Sequence, residues 1–215
     1  MYEVAVLGTV VLMLVSAVDY VRRAWIHETS PVPATWILMM VMMGLSFWMY
    51  WDSPRKSWTA NIGVTAGVVN VVIILSGVIA TNIRYGTLSV AFDKVQKWCL
   101  AGGAGVVAFW FFTDQPLISY ALVQCVALIG YFATVKRLLK AERSTEPLFL
   151  WVAVLFANLC ALYPAWVKND PFSWIYLGRA VPSTILVIYL IARIKGKMRR
   201  ANLANSQRPI SRPPW

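Results

Sequence analysis

Apolar residues in this 215-residue chain come in long runs, broken by short charged or proline-bearing stretches. A helix that crosses the hydrocarbon core of a bilayer needs roughly 20 mostly apolar residues. Read by that rule, the runs predict seven spans, at 4–21, 34–51, 58–82, 98–112, 117–135, 147–167 and 172–194. The fourth is short and carries Gly102, Gly103 and Gly105. These glycines permit close approach to a neighbour, and weak helix propensity is tolerable where lipid forbids open backbone. Trp36, Trp51, Trp58, Trp98, Trp166 and Trp174 stand at or near span ends, as an interfacial aromatic belt would place them. The expected fold class is an all-α membrane protein.

Composition narrows the class further. Hydrophobic residues make up 59% of the chain and charged residues 13%, and the mean hydropathy is +0.62. A soluble domain sits near 45–50% apolar and about 25% charged. The polar residues needed to wrap a core are missing, which argues against disorder, a secreted disulfide scaffold or an ordinary cytosolic enzyme. The net charge of +11 would suggest nucleic acid in a soluble domain, so the position of the charges matters. With the amino terminus outside, the inner segments carry 16 Lys and Arg, including Arg22, Arg84, Lys94, Lys136 and the residues from Arg193 onward. The outer segments carry only Arg55, Lys56 and Lys168. The positive-inside rule then sets the amino terminus outside and the carboxyl terminus in the cytoplasm of a cell (inner) membrane. Basic charge spread over every cytoplasmic face argues against a nucleic-acid partner. The tail, with Lys195, Lys197, Arg199 and Arg200 ahead of Pro209, Pro213 and Pro214, reads as a solvated stop-transfer tail or as a stretch drawn to anionic membrane lipids. Met1-Tyr2-Glu3 lacks the basic region of a signal peptide.

Chemistry-bearing residues are sparse. Cys99, Cys125 and Cys160 lie inside apolar runs with no metal-site spacing, and His27 stands alone. No nucleophile has a base, and no His, Cys and carboxylate cluster forms, so neither an enzyme nor a bound cofactor or metal is expected. A retinal photoreceptor needs a lysine within its last span, and 172–194 has none.

An internal repeat organises the chain. Tyr20 matches Tyr131 at an offset of 111, Ser30 and Pro33 match Ser144 and Pro147 at 114, Trp36 and Trp51 match Trp151 and Trp166 at 115, and Trp58 matches Trp174 at 116. The offset only rises, as small loop insertions would make it. Spans one to three then correspond to spans five to seven. Equivalent spans are an even number apart, so both triplets run the same way and are related by an axis along the membrane normal. The implied units are 1–82 (first triplet), 83–116 (linker loop and fourth helix), 117–194 (second triplet) and 195–215 (tail). Two bundles side by side leave a cavity on the axis between them.

The stretch Gly130-Tyr131-Phe132-Ala133-Thr134 resembles the glycine-tyrosine-x-proline-threonine of bacterial PQ-loop repeats, with Ala133 in place of the proline. The three-plus-one-plus-three arrangement is similar to the SWEET sugar transporters of the same superfamily. Glu142-Arg143-Ser144, Pro147, Trp151, Tyr163, Asp170-Pro171 and Gly178 also resemble the amino-terminal membrane domain associated with lipid A biosynthesis. The likeness covers residues 117–194 and reaches 4–82 only through the repeat. It implies two parallel three-helix repeats and a transport or lipid-linked role. Two departures stand out: the first three spans lack interior prolines, and Gln115-Pro116 reverses the family's proline-glutamine.

Polar groups inside spans are costly in lipid and mark candidate sites. Asn70, Gln124 and Asn158 fall near the middle of spans three, five and six, and could either contact a solute on the axis or bond across helix interfaces. Their repeat equivalents are Leu186, Met13 and Met43, so such a site is asymmetric. Arg179 lies about five residues, roughly 7–8 Å at helical rise, inside the outer end of span seven. Its fork of donors suits a carboxylate or phosphate, or an ion pair with Asp170 or Asp114. Pro182, one turn further in, is a candidate hinge, with Ser183 and Thr184 nearby to satisfy the freed carbonyl. Asp19 is a proton-coupling candidate or a partner of Arg22 or Arg23. Trp48 and Tyr163 match at an offset of 115 and suit an outer vestibule or the aromatic belt. The leading expectation is a transporter of a small polar or anionic solute by alternating access, with no cofactor and with room for a homo-oligomer. The alternative is a protein that handles lipid phosphate, polyprenyl phosphate or glycolipid without solute transport.

Overall fold

The computed structural model describes residues 1–29, 31–141 and 146–206. Ser30 and Ser144 of the repeat, Glu142 and Arg143, and the prolines of the tail lie outside them. Among the described residues the chain is all-helical, with seven helices long and apolar enough to cross a membrane. They are α1 (Tyr2–Trp25), α2 (Pro33–Asp52), α3 (Ile62–Arg84), α4 (Lys94–Thr113), α5 (Pro116–Lys140), α6 (Leu148–Lys168) and α7 (Pro171–Ser206). The protein is a multi-pass membrane protein.

Local chemistry sets the ends. Pro33 and Pro116 open α2 and α5, where a missing N–H costs nothing. Asp93 caps α4 in a reciprocal box: Gln96 N donates to Asp93 Oδ1 at 2.7 Å, and Asp93 N donates to Gln96 Oε1 at 3.0 Å. Asp114 and Asn169 end α4 and α6 in the left-handed region, φ 49° and 46°. Each then turns the chain within two residues into the next helix.

Five boundaries differ from expectation by four residues or more: α1 runs on to Trp25, α4 starts at Lys94 and α5 runs on to Lys140, and the other two have a local cause. The third helix begins at Ile62 instead of 58, because Trp58 sits in the turn and packs tilted against Trp51 at 4.3 Å. The last helix does not stop at 194 but continues to Ser206. Lys and Arg are good helix formers, so the basic stretch leaves the bilayer without leaving the helix.

Six helices close a ring. In order around it, α1 packs on α3, α3 on α2, α2 on α5, α5 on α7, α7 on α6 and α6 back on α1, while α4 lies outside against α5 and α2. Small residues allow the α1–α6 seam: the Thr9 hydroxyl lies 3.2 Å from the Ala157 carbonyl, and Gly8 faces Cys160. The carboxamide of Asn70 ties α3 to α1, donating to Met13 O at 2.6 Å and Ser16 Oγ at 3.0 Å. Tyr20 of α1 meets Trp36 of α2 edge-on, with centroids 5.0 Å apart, and Tyr131 of α5 meets Trp151 of α6 edge-on at 6.2 Å.

Candidate functional site

The ring surrounds a cavity that is open at one mouth. Every ring helix contributes: Met13 from α1, Trp36, Met43 and Ser46 from α2, Asn70 from α3, Tyr131 and Thr134 from α5, Trp151 and Asn158 from α6, Tyr176 and Arg179 from α7. The deepest members lie near mid-bilayer. The shallowest, Val32, Thr35, Glu146 and Trp151, lie at the side of the bundle where α2 and α6 begin.

The opposite side, bearing the amino terminus, is packed shut. Phe172 stands edge-on to both Tyr50 and Tyr120, at 5.4 and 5.1 Å. Asn61 donates to Tyr120 Oη at 3.2 Å, Ser57 N donates to Tyr50 Oη at 3.0 Å, and Ser173 Oγ lies 2.8 Å from the Ala60 carbonyl. Gly63 makes this closure possible. A Cβ there would fall 2.6 Å from the Tyr176 ring, so only glycine lets α7 lie against α3 at this height.

Depth follows from helical rise of about 1.5 Å per residue. Asn70, Gln124 and Arg179 each stand eight residues into their helices, about 12 Å from the amino-terminal side. Asn158 stands ten residues before the end of α6, about 15 Å from that side. Arg179 is thus deeper than the five residues first expected: it already stands seven residues into the predicted span 172–194, and the helix start at Pro171 adds one more.

A relay of bonds holds Arg179. Ser46 Oγ donates to the Met42 carbonyl at 2.7 Å, Gln124 Nε2 donates to Ser46 Oγ at 2.7 Å, and Arg179 Nε donates to Gln124 Oε1 at 2.8 Å. The serine hydrogen goes to the backbone, so its oxygen accepts, and that fixes which way the carboxamide points. Tyr131 and Tyr176 face the guanidinium at 5.5 and 5.3 Å. The expected ion pair is not what holds this arginine: among the described residues neither Asp170 nor Asp114 reaches it, and its partner is a neutral amide. Asp170 instead caps α7, accepting from Ser173 N at 3.2 Å. Arg179 lines the cavity, and its two terminal NH2 groups have no hydrogen-bond partner among the described residues.

Asn158 is the sharper anomaly. It is 1% exposed, lines the cavity, and neither its Oδ1 nor its Nδ2 has a partner among the described residues. Buried amides are almost always paired. Asn70 differs, since both amide hydrogens are spent on α1 and only its oxygen can serve the cavity.

The structure draws Asn70, Asn158 and Arg179 to one cavity with Gln124 behind Arg179, and leaves other candidates elsewhere. Trp48 is half exposed and meets Trp110 and Phe111 of α4 edge-on. Tyr163, on the outer part of α6, does not line the cavity. Asp19 accepts from Arg23 Nε at 2.7 Å, the plainer of its two expected roles. Pro182 lies inside an unbroken helix, and the Thr184 hydroxyl donates to Ala180 O at 2.7 Å, not to the carbonyl of Gly178 that the proline frees. Several wall residues were not among the expected site residues, notably Ser46, Tyr131, Trp151 and Tyr176. Tyr131 and Trp151 stood out only as motif and repeat matches, whereas the lone polar Ser46 among the methionines of α2 was the available signal.

No protein-family model, curated protein or solved structure matches the chain.

Proposed function

We propose that the protein is a carrier of a small polar or anionic solute that works by alternating access between two three-helix units, α1–α3 and α5–α7. One observation carries this reading. A cavity on the ring axis, shut at one side and reaching the other, holds unspent hydrogen-bonding groups of Asn158 and Arg179 at mid-depth. Midplane binding between repeated bundles is the geometry of alternating access. The repeat draws support from two features. Exchanging α1 with α5, α2 with α6 and α3 with α7 maps the principal helix packings onto one another. It also maps the Tyr20–Trp36 contact onto Tyr131–Trp151. Both features favour the SWEET-like, PQ-loop kinship that the motifs suggest. In the orientation favoured by the basic residues, with the amino terminus outside the cell membrane, the open side is cytoplasmic, and the described conformation is inward-facing.

A second reading rests on the walls. Met13, Met39, Met42 and Met43 line the cavity with Val71, Leu150 and Val154, which suits a lipid or polyprenyl chain as well as a compact solute. The deciding experiment is counterflow in liposomes loaded with sugars, amino acids or organic anions. A carrier exchanges its solute across the membrane and loses the exchange in Asn158→Ala. A lipid-handling protein exchanges none of them and is thermally stabilised by polyprenyl phosphate.

A further inference from the structure

We infer that the cavity binds an amphiphilic organic monoanion, with its carboxylate or phosphate head on Arg179 and Asn158 and its apolar body on the methionine-lined wall of α2. The inference rests on the carrier reading for its site and adds the charge and shape of the cargo.

The charge argument starts from desolvation. An arginine about 12 Å inside the bilayer is costly unless something offsets its charge. Among the described residues the protein offers only a neutral amide on Nε and two aromatic faces. These orient the guanidinium without neutralising it. The edge left free is the one that grips a carboxylate or phosphate through two parallel bonds. Glu146 does line the same cavity. It precedes α6, though, and so lies about 15 Å or more from Asn158 along the axis. The headgroup region therefore keeps a net positive charge of one, which matches a monoanion and disfavours a cation.

The second contact is Asn158, whose amide hydrogens and oxygen are both unspent in a 1% exposed position. It stands within about 3 Å of Arg179 in depth, on the neighbouring ring helix. An anionic oxygen there satisfies Nδ2, and a hydroxyl or protonated oxygen on the same head satisfies Oδ1. Beside the head one wall is apolar, built of Met39, Met42, Met43, Val71 and Val154, while Thr35, Thr134, Trp151 and Glu146 follow toward the mouth. A sugar would leave its hydroxyls unpaired against those side chains, at real cost. An alkyl or isoprenyl body would not.

The test uses the full-length protein in nanodiscs and four probes with one six-carbon tail: hexanoate, hexyl phosphate, hexanol and hexylammonium. Hexanoate or hexyl phosphate should raise the melting temperature, and hexanol and hexylammonium should not. Arg179→Gln should weaken anion binding on the order of tenfold to a hundredfold, the range for a lost charged hydrogen bond. Gln124→Glu is the second variant. It keeps the shape of the relay and supplies a carboxylate to Arg179, so the protein should stay folded while anion binding falls. Equal stabilisation by hexanol and hexanoate, or unchanged anion binding in both variants, overturns the inference. Farnesyl phosphate in the bilayer separates the sources: competition with hexyl phosphate assigns the site to a lipid phosphate, and failure to compete assigns it to soluble anions. Anion binding without counterflow keeps this site and removes the carrier reading. Counterflow of a neutral sugar, insensitive to Arg179→Gln, keeps the carrier and removes this inference.

Discussion

Asn158→Leu should make the protein more stable while abolishing its exchange activity. The carboxamide is fully buried and both of its polar atoms lack partners. A buried unsatisfied group costs about 1–3 kcal/mol in proteins generally. Inside a bilayer the unfolded reference is partly desolvated too, and measured interhelical polar bonds average only about 0.6 kcal/mol. The expected gain for Leu, which has the same branched four-atom shape and can extend its larger methyls into the cavity, is therefore about 1–2 kcal/mol. At roughly 2–4 °C per kcal/mol for a chain of this size, the melting temperature should rise by about 2–8 °C. Thermal unfolding in mild detergent, read in parallel with counterflow in liposomes, measures both effects on one preparation. Interhelical glue predicts the opposite sign, since removing a made bond destabilises. A fall of about 1 kcal/mol or more in Asn158→Leu would refute the reasoning, because it would mean the amide is bonded and not waiting for a ligand.

Other perturbations probe the frame around the cavity. Asn70→Ala should cost about 0.6–1.7 kcal/mol in the same unfolding assay, since its amide bonds α1 at two points. Gly77→Ala should cost about 1–3 kcal/mol, because a Cβ there meets the stiff side chain of Val21 on α1, whose own Cβ would be 3.0 Å away. Gly44→Ala, with nothing within 4 Å, should be neutral or slightly stabilising. Gly63→Ala should loosen the amino-terminal plug, read as new labelling of Ser173→Cys by an impermeant thiol reagent added on that side. In the parent background Thr35→Cys should label from the opposite side and Ser173→Cys from neither, with Cys125 and Cys160 replaced beforehand.

The spans were legible because the bilayer imposes a length: a run of apolar residues has few readings other than a crossing. What hydropathy does not record is where a helix ends once it has left the lipid. That is why Trp58 was assigned to a helix it only precedes, and why Lys195 and Arg199 were read as a tail when they extend α7. Depth could be read for the carboxamides, since counting residues places Asn70, Gln124 and Asn158 near one level, whereas Arg179 was set too shallow. Azimuth could not. Counting gives no sign that Asn70 turns its amide to α1 while Asn158 keeps its own for the cavity, or that Gln124 and Arg179, 55 positions apart, are bonded to each other. Trp48 shows the same limit, for an aromatic near a span end looks alike whether it faces a vestibule or a neighbouring helix.

The uninterrupted α7 has a mechanical consequence. From Pro182 to Ser206 it forms a rod of 24 residue steps, about 36 Å long. A tilt of about 10° at the proline would sweep its far tip by roughly 6 Å, while Arg179, less than one turn from the pivot, would barely shift. Small adjustments around a bound headgroup are thus geared up into a large stroke of a cationic arm beyond the lipid, where other molecules can feel it.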